Sequence, residues 1–215
     1  MNVMKDRHSV RQYSNTAIEE EKQKALTDLA DQINTESGLH IQILFDEAKC
    51  FDGFMAHYGK FSGVRNYIAV VGKKSADLDE TSGYYGERLV LKAQELGLNT
   101  CWVAMSHGKS AAKTGNGEKL VCLIALGYGN TQGVPHKSKS VSEVCNCSEN
   151  MPKWFADGID AALLAPTAMN QQKFFFTLGD NGDVTLKVKG TGFYTKLDLG
   201  IVKYHFETAS GHKVR

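Results

Sequence analysis

Gly83-Tyr84-Tyr85-Gly86-Glu87-Arg88-Leu89-Val90-Leu91-Lys92-Ala93-Gln94-Glu95-Leu96-Gly97-Leu98-Asn99-Thr100-Cys101-Trp102-Val103-Ala104 is the stretch from which the fold can be read. Gly83 to Leu96 reads as a helix: Tyr85, Leu89, Ala93 and Leu96 recur at the spacing that lines one face, while Arg88, Lys92 and Glu95 fall outside it. Gly97 ends the helix, because glycine takes the left-handed backbone of a helix terminus without a side-chain clash. The chain then leads through Asn99 into Thr100-Cys101-Trp102-Val103-Ala104. On either side lie short, nearly all-apolar runs, Asn66 to Gly72 and Lys119 to Gly127, which read as buried strands.

Further out, His40 to Asp46 places Ile41, Ile43 and Phe45 at alternate positions, the period of a half-buried strand. Thr16-Ala17-Ile18-Glu19 has the form of a capping box ahead of a helix through Leu26, Leu29 and Ile33 up to Gly38. Phe51 to Val64, with Gly53, Gly59 and Gly63 among aromatics, reads as an irregular loop able to close over a ligand. Trp154 to Leu164 reads as a helix that stops before Pro166. Lys173 to Leu178 and Val184 to Val188 form a hairpin across Gly179-Asp180-Asn181-Gly182. Phe193 to Ala209 is apolar on two faces and should be a buried helix. Strands mixed with helices argue the α+β class, with a central mixed or antiparallel sheet covered by helices. The 215 residues are expected to form a single domain. Lys137 to Asn150 is the most polar connection, so two half-units would meet near 140–150.

Composition narrows the function. Lysine plus arginine, 25, nearly balance aspartate plus glutamate, 24, so no overall field argues for nucleic acid or an anionic membrane. No apolar run approaches the roughly 20 residues of a membrane span, and the polar start lacks the apolar region of a signal peptide, which leads to the expectation of a cytoplasmic protein. Five scattered cysteines, Cys50, Cys101, Cys122, Cys145 and Cys147, are expected as reduced and mostly buried thiols. Cys145-Asn146-Cys147 lacks two further ligands at sensible spacing, so no metal site is expected. Gly115-Asn116-Gly117-Glu118 is neither a dinucleotide fingerprint nor a P-loop.

Two stretches carry the candidate chemistry. Arg7-His8-Ser9-Val10-Arg11-Gln12-Tyr13 sets Arg7, Ser9 and Arg11 at alternate positions, so an extended backbone points all three the same way. Guanidinium forks match a phosphate dianion bidentately. The competing reading is a solvated basic patch. Lys137-Ser138-Lys139, in the polar loop after His136, is a second candidate anion ligand. Ala165-Pro166-Thr167-Ala168-Met169-Asn170-Gln171-Gln172 offers side-chain amides that both donate and accept, as the edge of a flat heterocycle requires. Its competing reading is a helix-ending turn in which Asn170 satisfies backbone groups.

Together these pieces resemble the FMN-dependent nitroreductase family. Arg7 to Tyr13 is similar to its amino-terminal flavin-phosphate signature, and Gly86 to Ala104 to its central helix and following strand. Gly127-Tyr128-Gly129 with Lys137-Ser138-Lys139 is similar to its closing strand and basic phosphate-contacting loop. Ala165 to Gln172 resembles its Ala-Pro-Ser-x-x-Asn-x-Gln-Pro-Trp segment, which holds the isoalloxazine ring. Two departures stand out. The Ala-Pro segment follows the first helix closely in the usual order and comes late here, as in a rearranged short branch; and Lys173 and Phe174 replace Pro-Trp.

The resemblance implies a nitroreductase-like fold, FMN as cofactor and NAD(P)H as electron donor. It implies ping-pong reduction of a nitroaromatic, quinone or similar flat small-molecule acceptor, in a homodimer. Arg7, Ser9 and Arg11 with Lys137 and Lys139 would neutralise the phosphate. His8 would contribute its ring or its backbone amide. Pro166, Thr167, Asn170 and Gln172 would grip the ribityl chain or the pyrimidine edge. Residues 104–108 would pass near the redox-active edge, where a backbone amide tunes the flavin. The cofactor carries the chemistry, so no catalytic side chain is expected. The rival class is a flavin-binding carrier, sensor or scaffold without turnover, and a weaker rival binds another phosphorylated ligand in the same clamp.

Overall fold

The computed structural model describes residues 2–147 and 150–215. In chain order the elements are α1 (Asn2–Asp6), α2 (Glu20–Ser37), β1 (Gln42–Leu44), α3 (Phe54–Tyr58), β2 (Asn66–Lys73), α4 (Leu78–Glu95), β3 (Asn99–Val103) and β4 (Glu118–Gly127). They continue with α5 (Val141–Val144), α6 (Lys153–Ala162), β5 (Phe174–Leu178), β6 (Val184–Val188) and α7 (Thr195–Ser210). Two compact units result. One holds Asp6–Leu78 and Arg88–Pro135, and the other the described residues of Met1–Lys5, Asp79–Glu87 and His136–Arg215.

The first unit is built on a four-stranded sheet in the order β1-β2-β4-β3. Every neighbouring pair is antiparallel, so within the α+β class the sheet takes the antiparallel form of the two expected. Register puts Tyr67 opposite Ala125, which is opposite Cys101, and Ala69 opposite Leu123, which is opposite Val103. These residues share one face and pack with Val10, Tyr13, Cys50, Phe51, Phe61 and Val64 in a single apolar cluster. Ile68, Val70, Ile124 and Leu126 alternate with them and are also fully buried, as expected of strands covered on both sides.

Helix α2 buries Leu26, Ala30 and Ile33, and Gly38 at φ 70° closes it by donating to the Asn34 carbonyl oxygen at 3.0 Å. Its start departs from the sequence expectation: Glu19 is the N-cap, and Thr16 pairs with Ser14 rather than with a helix amide. A capping box does form, at Ser140 and Glu143, where α5 begins. The expected irregular loop 51–64 contains α3, because Phe61 and Ala56 anchor it in the core and give the turn a floor.

The second unit packs α6 and α7 beside the β5-β6 hairpin. Phe206 lies against Phe155 at 5.6 Å and stacks on Phe176 at 4.6 Å between ring centroids. The first half of α4 crosses α7 at two glycines. A Cβ on Gly83 would lie 2.0 Å from the Leu197 carbonyl oxygen, and one on Gly200 would lie 1.9 Å from that of Glu80. Gly83 therefore sits inside α4, which begins at Leu78, and its role is the close approach of two backbones. Among the described residues no helix is long and apolar enough to cross a membrane.

Candidate functional site

In the sheet unit, Arg7 to Tyr13 runs as an extended segment beside β3. Ser9 bridges Thr100, Val10 N donates to the Thr100 carbonyl at 3.0 Å, and Tyr13 N donates to that of Ser62 at 2.9 Å. Gly63, at φ 69°, lets the chain pass there, since a Cβ would stand 2.2 Å from the Tyr13 carbonyl oxygen. With the backbone pinned, the side chains of Arg7, Ser9 and Arg11 act on one point, the buried Cys101 thiol. Burial pushes that thiol up; the charge of Arg11, a hydrogen bond with Ser9 and the charge of Arg7 pull it down. Arg7, Ser9 and Arg11 are thus a trio that acts on one thiol.

The members of the trio differ in exposure. Arg11 is exposed, with its guanidinium 6.0 Å from the Phe61 ring centroid, and Ser9 is half-buried. Arg7 is buried, 4% exposed, and its Nε has no hydrogen-bond partner among the described residues. A buried guanidinium N–H left without an acceptor is costly unless a ligand compensates it. His8, half-buried, lies against Gly133, whose φ of 73° brings the chain so close that a Cβ would be 2.7 Å from that of His8.

In the hairpin unit the remaining predicted residues form a stitched pair of loops. Gln172, 2% exposed, donates through Nε2 to the Lys137 carbonyl at 2.8 Å and to Asn170 Oδ1 at 2.9 Å. Its Oε1 accepts from Lys139 N at 2.9 Å, and its own carbonyl accepts from Lys139 Nζ at 2.8 Å. Asn170 Nδ2 also donates to the Lys137 carbonyl, at 2.9 Å. Thr167 Oγ1 accepts from Gln172 N at 3.0 Å. His136 and Ser138 both engage the Leu163 carbonyl at the end of α6, at 2.9 and 3.0 Å. The geometry brings Lys137, Lys139, Thr167, Asn170 and Gln172 together, with half-buried Pro166 at the exit from α6. It turns the Gln172 amide toward the chain itself.

The segment is strained. Met169, Asn170 and Gln172 have φ of 52°, 53° and 45°. Asparagine tolerates this region, but methionine and glutamine pay about 1–2 kcal/mol each. Such strain persists only where the surroundings over-determine it, and it clusters at functional sites. Asp198, in the first turn of α7, is what over-determines it: Oδ1 accepts from Ala168 N at 2.9 Å and Oδ2 from Gln171 Nε2 at 2.7 Å. Burial pushes its carboxyl up from 3.8 to about 6, with the two donors pulling the other way. That rise corresponds to about 3 kcal/mol against the ionised form. Sequence reading passed over Asp198, although a carboxylate within a helix apolar on two faces had to be buried.

The same reasoning applies to His205, fully buried with Glu87. Its Nε2 meets Glu87 Oε1 at 2.9 Å and its Nδ1 meets the Ala161 carbonyl at 3.0 Å. Both ring nitrogens are thus engaged inside the fold. Among the described residues no group of three or more His, Cys, Asp or Glu side chains is placed to hold a metal ion.

A family model described as "Putative TM nitroreductase" matches residues 1–210. The chain belongs to that nitroreductase family. No curated protein matches it. Among solved structures, a "putative nitroreductase" from Thermotoga maritima is similar over 97% of this chain and 82% of its own, with a TM-score of 0.65 at 21% identity. A "putative nitroreductase in complex with FMN" from Desulfovibrio desulfuricans is similar over 70% of this chain and 96% of its own, with a TM-score of 0.52 at 14% identity. A nitroreductase family protein from Streptococcus pneumoniae is similar over 66% and 96%, with a TM-score of 0.51 at 14% identity. Identities this low speak to the fold alone. They agree with the antiparallel sheet and helices of a nitroreductase-like α+β fold.

Proposed function

We propose that this nitroreductase-family protein is an FMN-dependent NAD(P)H oxidoreductase. The observation that carries the reading is the buried Arg7 guanidinium, whose Nε lacks a partner beside Ser9 and Arg11. A guanidinium N–H left without an acceptor is satisfied by a bound anion, and the FMN phosphate supplies one. Arg7, Ser9 and Arg11 bind that phosphate, with His8 in the same segment, and Lys137 and Lys139 add positive charge. Pro166, Thr167 and Asn170 face the ribityl chain or the ring edge, and Gln172 holds Lys137 and Lys139 in place for them.

When bound, FMN would supply hydride and electron transfer between NAD(P)H and a nitroaromatic, quinone or similar flat acceptor, the two exchanging in a ping-pong sequence. The protein's part is to bind, orient and exclude water, and no side chain acts as nucleophile or essential base. We further propose a cytoplasmic homodimer. The rival, a flavin carrier without turnover, uses the same clamp.

The test is direct. FMN-saturated protein, freed of excess cofactor, should be yellow and should bleach under NADH or NADPH without oxygen. A quinone or nitroaromatic should then restore the colour repeatedly. A yellow protein that no nicotinamide bleaches would favour the carrier, and a colourless one would overturn the flavin reading.

A further inference from the structure

The Ala165–Gln172 segment is bent through left-handed residues that are poorly suited to it, and yet it ends in a dense set of hydrogen bonds. Something outside the segment has to hold the bend. Asp198 does so from α7, with one carboxylate oxygen on Ala168 N and the other on Gln171 Nε2, just before and just after the left-handed pair Met169 and Asn170. Gln171 Nε2 is also tied to the Phe193 carbonyl at 2.7 Å, so the amide spans the turn that leads into α7.

Among the described residues the carboxylate has no cationic partner. Of the charged side chains on the elements packed with α7, Glu80 pairs with Lys203, Glu87 with His205, and Glu207 with Lys213 and the Tyr84 hydroxyl. None of these acts on Asp198; its ionisation is set by burial and by the two donors. An asparagine there could accept from only one of the two donors and would turn its own amide hydrogens toward the other. The ionised form is what the arrangement uses.

We propose that Asp198 is the positioning residue of the cofactor segment: its ionised carboxylate clamps both flanks of the Met169–Asn170 bend, and protonating it loosens the bend and weakens FMN binding. This rests on the flavin reading given above. Two opposed signs distinguish it from a merely structural role. A carboxyl whose folded-state value lies above its unfolded one stabilises the fold below about 4, and that contribution is lost as pH rises through about 6. Acidification from 7.5 to 5 therefore strengthens this group's contribution to global stability while the segment loosens.

The experiment pairs wild type with Asp198→Asn. FMN and riboflavin affinities are read by flavin fluorescence quenching from pH 7.5 to 5, and amide hydrogen-exchange protection of residues 167–172 is read in the absence of flavin. The phosphate's own ionisation near pH 6 is common to both proteins, and riboflavin removes it, so the wild-type-minus-variant difference isolates Asp198. Wild type should lose tenfold or more of its riboflavin affinity on acidification, together with protection of the segment. Asp198→Asn should already be weakened about tenfold at pH 7.5 and show no further midpoint near 6. Equal affinity in the two proteins across the range, or unchanged protection, would overturn the proposal. If Asp198→Asn fails to fold, wild-type protection decides alone: retention at pH 5 refutes the clamp. Wild type that binds no FMN at pH 7.5 would overturn the flavin reading instead, and protection of the segment would still judge Asp198.

Discussion

Replacing Gln172 with alanine separates two roles that the sequence could not. If the amide served only to grip a ligand, its removal would leave the ligand-free protein as stable as before. The structure predicts otherwise. Three side-chain hydrogen bonds disappear, to the Lys137 carbonyl, to Asn170 and from Lys139 N, all from a residue that is 2% exposed. At about 1 kcal/mol for each exchanged bond, and more where a buried backbone group is left without a partner, the loss is about 2–4 kcal/mol. In a chain of this size each kcal/mol lowers Tm by roughly 2–4 °C. Urea unfolding of the flavin-free protein measures it, with Asn170→Gly as control. Asn170 is exposed and left-handed, so glycine relieves its backbone while two side-chain bonds are lost, one to the Lys137 carbonyl and one from Gln172 Nε2, which keeps its own bond to that carbonyl, and the net change should be about 1 kcal/mol. A flavin-free Gln172→Ala protein within about 0.5 kcal/mol of wild type that has nonetheless lost FMN affinity would refute the stitch and return Gln172 to the ligand.

Other expectations follow from single contacts. Arg7→Met, which keeps apolar length and removes an unpaired buried donor, should leave the flavin-free protein as stable or about 1–3 kcal/mol more stable in phosphate-free buffer, as read by urea unfolding. A clear loss of stability would mean that Arg7 is structural. Glu87→Leu should cost about 3–5 kcal/mol by stranding His205, and the double change Glu87→Leu with His205→Leu should recover most of it in the same assay. Gly200→Ala would place a methyl 1.9 Å from the Glu80 carbonyl oxygen and 2.6 Å from Tyr84 N, backbone that cannot step aside. Its cost should exceed about 3 kcal/mol, whereas Gly53→Ala, with nothing within 4 Å, should be near neutral by thermal denaturation.

Much of the fold was legible because hydrophobic period and length agreed. The runs at 66–72 and 119–127 are continuous apolar strands, and the central helix and the hairpin have unambiguous spacing. What misled were residues whose meaning depends on a distant neighbour. Gly83 looks like a helix boundary in sequence, but it lies inside α4 because α7 passes within backbone contact. Thr16 to Glu19 has the letters of a capping box, yet Thr16 finds Ser14 instead. At the site, the alternation of Arg7, Ser9 and Arg11 was legible from the period of an extended chain. That Arg7 would be buried and Arg11 exposed was not, since burial is decided by what folds over the segment. Asn170 and Gln172 were legible as amides near a helix end, but their partners lie in the 137–139 loop. Asp198 was hidden because a lone aspartate in an apolar helix has no periodic signature.

The central claim is that the clamp around Arg7 holds the phosphate of a flavin. Equilibrium titration of the purified wild-type protein with FMN and with riboflavin, alongside Arg7→Met, tests it most directly. Each charge-assisted hydrogen bond to the phosphate is worth about 1.5–3 kcal/mol. The account therefore predicts FMN binding at least 100-fold tighter than riboflavin in wild type, and a preference cut by tenfold or more in Arg7→Met. Equal affinity for the two flavins, or a preference that Arg7→Met leaves untouched, would contradict it.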